Sequence, residues 1–365
     1  MICAPRPLSD IEIGVRLSAV SSVPGKRVRA RLADVAHAAR TSKPIASRIL
    51  NDDPTLSVGE ELRERVLAAA RELGYRPHAA ARALRRAEAG ALGMLVPALG
   101  NPVYTQLMRG AFRRAAERDF TVLLAEDFEE QEAGELFASL VLEGRIDGLI
   151  VASTRPEHHL LTLLSERPVP HVFVNRGVPG SSRNVLMDDD RSVELAVGHL
   201  AELGHRRIAH LAGPLGLDPV ARRVRAFRDQ AAELGLEQAE VLGGEFLERA
   251  GAEDTRAALE RWPDVTAVFT GTVSQAVGVL NAAWRLGLRV PGDLSVVAHA
   301  DMPLAELLVP PLTAVRMPLA NLGAAAVDAL IEQIQTGATH DVLVHEPPEL
   351  VVRSSTAPPR LKGPR

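Results

Sequence analysis

From Gly90 onward the sequence alternates short apolar runs with segments of helical periodicity, and few folds accommodate that rhythm. The runs "ALGMLVP", "FTVLLAE", "DGLIVAS", "VPHVFVN" and "NVLMD" read as strands buried on both faces, separated by helical stretches such as "YTQLMRGAFRRAAERD" and "EAGELFASLVLEGR". After Asp188 a second set begins, with "RIAHLAG", "TAVFTG" and "LSVVAHA" as strands and "SVELAVGHLAELGH", "ARRVRAFRDQAAELG" and "SQAVGVLNAAWRLG" as helices. A strand that must cross over through a helix to reach its parallel neighbour builds a doubly wound sheet. Two such α/β units in tandem are therefore expected. Because ligands of these sheets bind at the carboxyl ends of the strands, a cleft between the units is the expected ligand site.

Composition bounds the rest. At 365 residues the chain exceeds a single core. No run of 18 apolar residues offers a membrane span, and Asp10, Glu12 and Arg16 interrupt what would be a signal peptide. Cys3 is the single cysteine, which excludes an internal disulfide and a multi-cysteine zinc site and suits a reducing cytoplasm. Aromatic residues make up only 3%, too few for a single-strand stacking platform. Charge is unevenly distributed: residues 26–87 carry 14 Lys and Arg against 7 Asp and Glu, whereas residues 88–365 have a balance of −11. A small basic module ahead of an acidic body favours a polyanionic partner for the module alone.

Within that module Leu32, Val35 and Ala36 form one helical stripe, and Ile45, Ile49 and Leu50 a second, with "RTS" between them and Ser42 as N-cap. In "SVGEELRERVLAAARELG" a capping box of Ser57 and Glu60 is expected to start a third helix, whose stripe is Leu62, Val66, Leu67, Ala70 and Leu73 and whose stop is Gly74. Three short helices fit either a plain bundle or a helix-turn-helix. The second helix favours the latter, because Lys43, Pro44, Ser47 and Arg48 fall on its outer face, where the N-terminal end of such a helix meets base edges. Pro44 is tolerated in the first turn and offers a base only apolar contact.

"LADVAHAARTSKPIASRILND" followed by "VGEELRERVLAAARELGYRPHAAARAL" resembles the headpiece of the LacI family of bacterial transcriptional regulators. The resemblance implies a DNA-contacting set of Ser42, Lys43, Pro44, Ser47, Arg48 and Asn51, joined by Tyr75, His78, Ala81 and Leu84 around a hinge helix, with Leu84 as a minor-groove wedge. Two positions depart from the family pattern. Arg40 and Thr41 stand where Gly-Val is usual, so a left-handed turn there would cost on the order of 1 kcal/mol. His78 stands where Asn is common, which alters a phosphate contact rather than the fold.

The body resembles the same family, and the periplasmic sugar-binding proteins that share its architecture, through "LGHRRIAHLAG", "GLRVPGDLSVV", "PPLTAVRMPLANLGAAAVDAL" and "ELVVRSSTAPP". This implies three chain crossings between subdomains, near Asp188, Arg316 and Asp341, and an effector held from both sides of the cleft. Arg223 in "RVRAF" occupies the family's effector-binding arginine position, and an arginine fork suits hydroxyls or a carboxylate. Other positions diverge. Thr272 and Val273 replace the usual Asn-Asp, and in "AHAD" Ala300 replaces the first of two aspartates while Asp301 keeps the second. Losing such groups removes hydrogen bonds worth about 0.5–1.5 kcal/mol each to a hexose. Three outcomes stay open: a smaller or less polar effector; a different polar set built from Tyr104, Asp127, Asn175 and Arg223; or a cleft that binds nothing.

An enzyme is not expected. No G-x-G-x-x-G follows a strand, and neither a P-loop nor a G-x-S-x-G is present. His158 and His159 are adjacent, while His199, His205 and His210 are scattered, so no helical metal pair arises; neither a metal nor a cofactor is expected. His205 reads as a helix C-terminal cap, and "MDDD" as a crossover and helix start rather than a cation site.

The expected organisation is a disordered extension at 1–28, a helix-turn-helix headpiece at 29–76, a hinge helix and linker at 77–88, a body at 89–357 and a disordered tail at 358–365. Within the body, 89–187 with 317–340 would form one subdomain and 188–316 with 341–357 the other. The function these readings imply is a cytoplasmic homodimeric repressor of a near-palindromic double-stranded operator, controlled by a sugar-like small effector and needing no membrane. An architectural DNA-binding protein with a ligand-independent cleft, and a small-molecule-binding protein or enzyme with an incidental basic end, are the rivals.

Overall fold

The computed structural model describes residues 30–51, 53, 55–75, 89–127, 132–152, 159–166 and 169–360 of the chain. The expected extension at 1–28 and the hinge with His78, Ala81 and Leu84 lie outside the described residues. The chain divides into two compact units, Met1–Arg82 and Ala83–Arg365.

In the first unit three helices, α1 (Leu32–Ala38), α2 (Lys43–Leu50) and α3 (Glu60–Glu72), enclose a core of Val35, Ala36, Ala39, Ala46, Ile49, Val66, Ala69 and Ala70. Small alanines dominate because short helices crossing closely leave little room between them. Ser42 caps α2 by accepting from the Ile45 amide at 3.4 Å. The capping box expected at α3 is absent: Gly59 is the N-cap and makes no side-chain cap bond, which places Ser57 two residues upstream of it. The expected α3 stripe also narrows, since Leu67 and Leu73 are exposed while Ala69 is buried. Arg40 does adopt the left-handed conformation, with φ of 51°, so the α1–α2 turn keeps its geometry without glycine.

Among its described residues the second unit contains two six-stranded sheets. The first, in spatial order β11-β5-β4-β3-β1-β2, comprises β1 (Ala91–Val96), β2 (Thr121–Glu126), β3 (Gly148–Val151), β4 (His171–Val174), β5 (Asn184–Leu186) and β11 (Val342–Leu343), all parallel. The second, in order β12-β10-β9-β8-β6-β7, comprises β6 (Arg207–Leu211), β7 (Gln238–Leu242), β8 (Ala267–Thr270), β9 (Ser295–His299), β10 (Thr313–Arg316) and β12 (Glu349–Val351). Only the edge strand β12 runs antiparallel, against β10. In each sheet the order reverses beside the first strand, between β1 and β3 and between β6 and β8, which is the topological switch where ligands bind. The central strands are buried throughout because helices cover both faces.

The covering helices of the first lobe are α4 (Pro102–Glu117), α5 (Glu132–Leu142), α6 (His159–Glu166) and α12 (Leu319–Thr336). Those of the second are α7 (Asp189–Glu202), α8 (Asp218–Glu233), α9 (Glu248–Arg261) and α10 (Val273–Arg285), with the short α11 (Pro303–Leu307) after β9. Helices α4 and α12 approach so closely that a Cβ at Gly110 would strike the Ala320 carbonyl and one at Gly323 the Leu107 carbonyl. Gly251 and Gly278 play the same part between α9 and α10, a likeness of the two lobes in their packing as well as their topology.

The chain leaves the first sheet after β5 at Asp188, whose carboxylate caps α7 through the Arg191 amide at 2.9 Å. It returns after Arg316. The third crossing lies beyond the position expected near Asp341, because Val342 and Leu343 pair with Val185 and Leu186, and the Asp341 carboxylate accepts from the Asn184 amide at 2.8 Å. The His205 amide does close the helix end, donating to the Leu200 carbonyl at 3.0 Å, but its side chain is not a helix cap. Its ring is buried, with Nδ1 2.8 Å from Thr266 Oγ1 and Nε2 3.0 Å from Ser295 Oγ and 2.9 Å from the Ala357 carbonyl, so it ties the C-terminal segment to the second lobe. The tail, expected to be disordered from 358, is placed as far as Arg360, which lies 3.5 Å from Asp293; residues 361–365 lie outside the described set.

Candidate functional site

Two surfaces carry the candidate functional residues. On the headpiece, the N-terminal end of α2 presents Ser42, Lys43 and Pro44 to solvent, while Ile45, Ala46 and Ile49 turn inward. Lys43 thus stands at the end of a helix whose opposite face holds it to the core. Ser47 and Arg48 are half-buried and engaged within the headpiece. Arg48 Nε donates to Asp53 at 2.7 Å and Nη2 to the Thr55 hydroxyl at 2.8 Å, while Asp53 also accepts from the Thr55 amide and hydroxyl. These bonds, the Arg48 side chain first, hold the Asp53 carboxyl far below its ordinary value. Asn51 caps the end of α2 and its amide donates to the Ser47 carbonyl at 2.6 Å. Tyr75 packs half-buried on the three-helix core.

The second surface is the cleft of the body. Asp189, at the first turn of α7, is 3% exposed and accepts from Arg222 at 2.8 Å and Arg223 at 3.4 Å. Burial drives the Asp189 carboxyl up and the Arg223 guanidinium down from their ordinary values, each shift opposed by the charge of the other. Arg222 also reaches the Asn175 carbonyl at 3.3 Å and Asp218 at 3.5 Å, and Asp218 accepts from the Gly177 amide at 2.6 Å. These contacts join the segment after β4 in the first lobe to α8 in the second. Tyr104, from α4, lies beside Asn175; burial pushes its phenol above the ordinary value, against the opposing influence of Asn175 and the charges of Arg176 and Arg223.

Two histidines complete this group. His210 in β6 registers opposite Phe269 in β8, and the rings stack with centroids 4.6 Å apart. Its Nδ1 lies 3.0 Å from the Phe269 carbonyl, which can only accept, so the proton sits on Nδ1 and Nε2 is left as a lone pair. Burial lowers His210 to about 3 and His299 well below its ordinary value, so both rings are neutral. His299 Nε2 lies 3.7 Å from Asp189. Among the described residues, several buried nitrogens have no hydrogen-bond partner: Arg176 Nε, Arg222 Nε, Arg223 Nε, His210 Nε2, His299 Nε2 and Gln275 Nε2. Native interiors rarely leave buried polar atoms unmet, so each of these nitrogens calls for a partner.

Of the cleft residues expected from sequence, Tyr104, Asn175 and Arg223 come together here. Thr272 serves as the N-cap of α10, accepting from the Gln275 amide at 3.2 Å. Asp301 is clasped by Arg353 at 2.8 Å and 3.0 Å and by Arg316 at 3.3 Å. Asp127 sits half-buried after β2, its amide donating to Val96 at 2.8 Å. Asn175 and Ala300 both take left-handed φ values, 66° and 62°; asparagine tolerates this, whereas alanine does so at a cost on the order of 1 kcal/mol. Sequence reasoning missed Asp189, Arg222, Arg176 and His299. The "DDD" run carried the only signal, since three aspartates exceed what one helix cap needs. Among the described residues, no group of three or more metal-ligating side chains is placed to hold an ion.

Comparison with known proteins agrees with this geometry. A family model described as bacterial regulatory proteins, lacI family, matches residues 31–78, and one described as a periplasmic binding protein-like domain matches residues 197–356. The chain is 32% identical over 323 residues to a ribose operon repressor of Halalkalibacterium halodurans, covering 88% of this chain and 96% of that protein. It superposes on the lac repressor dimer bound to operator and an anti-inducer with a TM-score of 0.78 at 27% identity, covering 90% of this chain and 99% of the other. A transcriptional regulator CelR in complex with cellobiose matches with a TM-score of 0.69 at 29% identity, covering 90% and 100%. The two folds, the basic headpiece and these relatives make the chain a member of the LacI family of bacterial DNA-binding transcriptional regulators.

Proposed function

We propose that the protein is a cytoplasmic, non-enzymatic repressor that binds a near-palindromic operator as a homodimer and responds to a small molecule held in the cleft. The observation that carries this reading is the pairing of an exposed, capped α2 N-terminus bearing Lys43 with an interlobe cluster whose buried nitrogens lack partners. One can address a major groove, and the other can sense a ligand through contacts that differ with lobe geometry.

Dimer formation is supported by the segment around α11, where Leu304, Leu307 and Val309 are exposed, Val309 to 91%. A run of large apolar side chains in solvent marks an interface. In a two-fold dimer each headpiece would meet one half-site, and effector binding would change the angle between lobes and so the population able to hold DNA. Helices of the described residues are all too short or too polar to cross a membrane, which fits a regulator of DNA.

Footprinting of the full chain on DNA upstream of its own and neighbouring genes tests the reading. A protected site with two-fold symmetry, altered by one compound from a pool of small metabolites, is the expected result. A second reading, a cleft that senses nothing, is favoured by the engagement of Asp301 with Arg353 and of Thr272 in a helix cap. Symmetric protection that no compound changes would select it.

A further inference from the structure

Of the 42 Lys and Arg in the chain only three are lysines, Lys26, Lys43 and Lys362, and Lys43 is the only one among the described residues. It is the first residue of α2, it is exposed, and no hydrogen bond or ion pair among the described residues holds its ammonium. Arginines nearby are engaged: Arg48 is tied to Asp53 and Thr55, and Arg65 to Glu61 at 3.1 Å. An arginine in place of Lys43 would offer a planar fork matched to O6 and N7 of guanine, and the chain uses arginine for nearly every other cation. What lysine supplies and arginine does not is a primary amine that can become an amide. We infer that Lys43 is a regulatory acylation site. An activated acyl donor, an acyl phosphate or acyl thioester, converts its amine to a neutral amide and so releases the protein from DNA without the cleft. This rests on the reading of the α2 N-terminus as the DNA-facing end and adds a second input to it.

The step needs no oxidant or reductant. The unprotonated Nζ of Lys43 attacks the acyl carbon. The bond from that carbon to the phosphate oxygen or thioester sulfur breaks, its electron pair leaves with the phosphate or thiolate, and the proton left on nitrogen passes to water. The resulting amide has no charge to offer a DNA phosphate or a base edge. The fold does not depend on that charge. Ser42 caps α2 through the Ile45 amide at 3.4 Å, Ala46 and Ile49 hold the helix to the core, and a cation in the first turn faces the positive end of the helix dipole. Neutralisation therefore acts on DNA affinity and leaves the headpiece folded. Selectivity follows from composition, since between Lys26 and Lys362 no other side-chain amine competes for the donor.

The full chain would be incubated with acetyl phosphate and, separately, with acetyl-CoA. Acetyl groups would be located by mass spectrometry in the tryptic peptide from Thr41 to Arg48, which stays whole because trypsin does not cleave before Pro44. Operator affinity and Tm would be measured before and after. At least one donor is expected to acetylate Lys43 and to lower operator affinity about ten-fold or more in proportion to occupancy, with Tm unchanged or raised. Acetylation by acetyl phosphate alone identifies an acyl phosphate as the donor, and by acetyl-CoA alone a thioester. A Lys26→Arg, Lys362→Arg double variant should lose affinity on treatment as the wild type does, whereas Lys43→Arg should lose none of its own. Lys43→Gln, neutral like the amide, should match the treated wild type.

Lys43 left unmodified by both donors would overturn the proposal, as would full acetylation that leaves operator affinity unchanged. Lys43→Ala separates this failure from that of the DNA-facing reading. If that variant still weakens operator binding, the reading stands and acylation alone falls. If neither acetylation nor Lys43→Ala alters binding, both fall together.

Discussion

Arg48 Nε lies 2.7 Å from the carboxylate of Asp53, so the last turn of α2 is laced to the loop that follows it. Sequence alone presents Arg48 as an outward-facing base contact; its engagement with Asp53 leads us to propose Lys43, at the exposed end of the same helix, as the base-reading residue. Arg48→Ala and Asp53→Ala are expected to weaken binding to all operators alike. Lys43→Ala should relax preference at one position of each half-site and cost about 1–3 kcal/mol. Selection from randomised duplexes separates these outcomes; altered preference at one base for Arg48→Ala, with none for Lys43→Ala, would reverse the assignment.

Asp189 answers two guanidiniums at once, the buried Arg223 and the partly buried Arg222. Replacing it with asparagine removes their counter-charge without removing its volume, and breaking a buried pair from one side typically costs about 3–5 kcal/mol. Urea unfolding of Asp189→Asn should show that loss. A change below 1 kcal/mol would mean that the arginines find another anion.

Stability of the body should fall in mild acid. His171, lowered to about 4 chiefly by burial, and His210, lowered to about 3 by burial, are neutral in the folded state but titrate near 6.5 once unfolded. Below pH 6.5 the unfolded chain therefore binds more protons than the folded one, so their contribution is complete above that pH and drains away as pH falls toward 4. Each accounts for about 1–2 kcal/mol between pH 6.5 and 5. Chemical unfolding across that range should show the slope, and His171→Gln should flatten it; equal slopes in the two proteins would remove His171 from the account.

Leu307 is 78% exposed and Val309 91%. If they lie in the dimer interface, Leu307→Glu should yield monomers by sedimentation and lower operator affinity at least ten-fold, through loss of the second headpiece. Wild-type protein that sediments as a monomer at the concentrations that saturate DNA would contradict this.

Much of the body is legible in the sequence because strands buried on both faces must be continuously apolar, as "GLIV" and "HVFV" nearly are. Strand β7, "QAEVL", escapes that rule because it is an edge strand, half-exposed and carrying a charge. The α2 cap is equally legible, being local: Ser42 and the amide it serves are three residues apart. The cleft is not. Asp189 meets Arg222 and Arg223 across 33 and 34 residues, and nothing in "MDDDRS" or "ARRVRAF" shows which charges the fold will bury together. Arg176 in "FVNRG" reads as a solvated arginine after a strand, yet the fold leaves it only 6% exposed. Ser57 misleads for a different reason: spacing identifies a capping box, but the chain begins α3 after Gly59.

Salt dependence tests the central claim most directly. Affinity of the full chain for DNA upstream of its own gene, and for a scrambled duplex of equal length, would be measured from 50 to about 200 mM salt, where phosphate contacts weaken binding steeply. The account predicts a steep linear fall of log affinity with log salt for both duplexes, and a preference for the natural one of about 1,000-fold or more at physiological salt. Equal affinity for the two duplexes, or binding insensitive to salt, would contradict a sequence-reading headpiece.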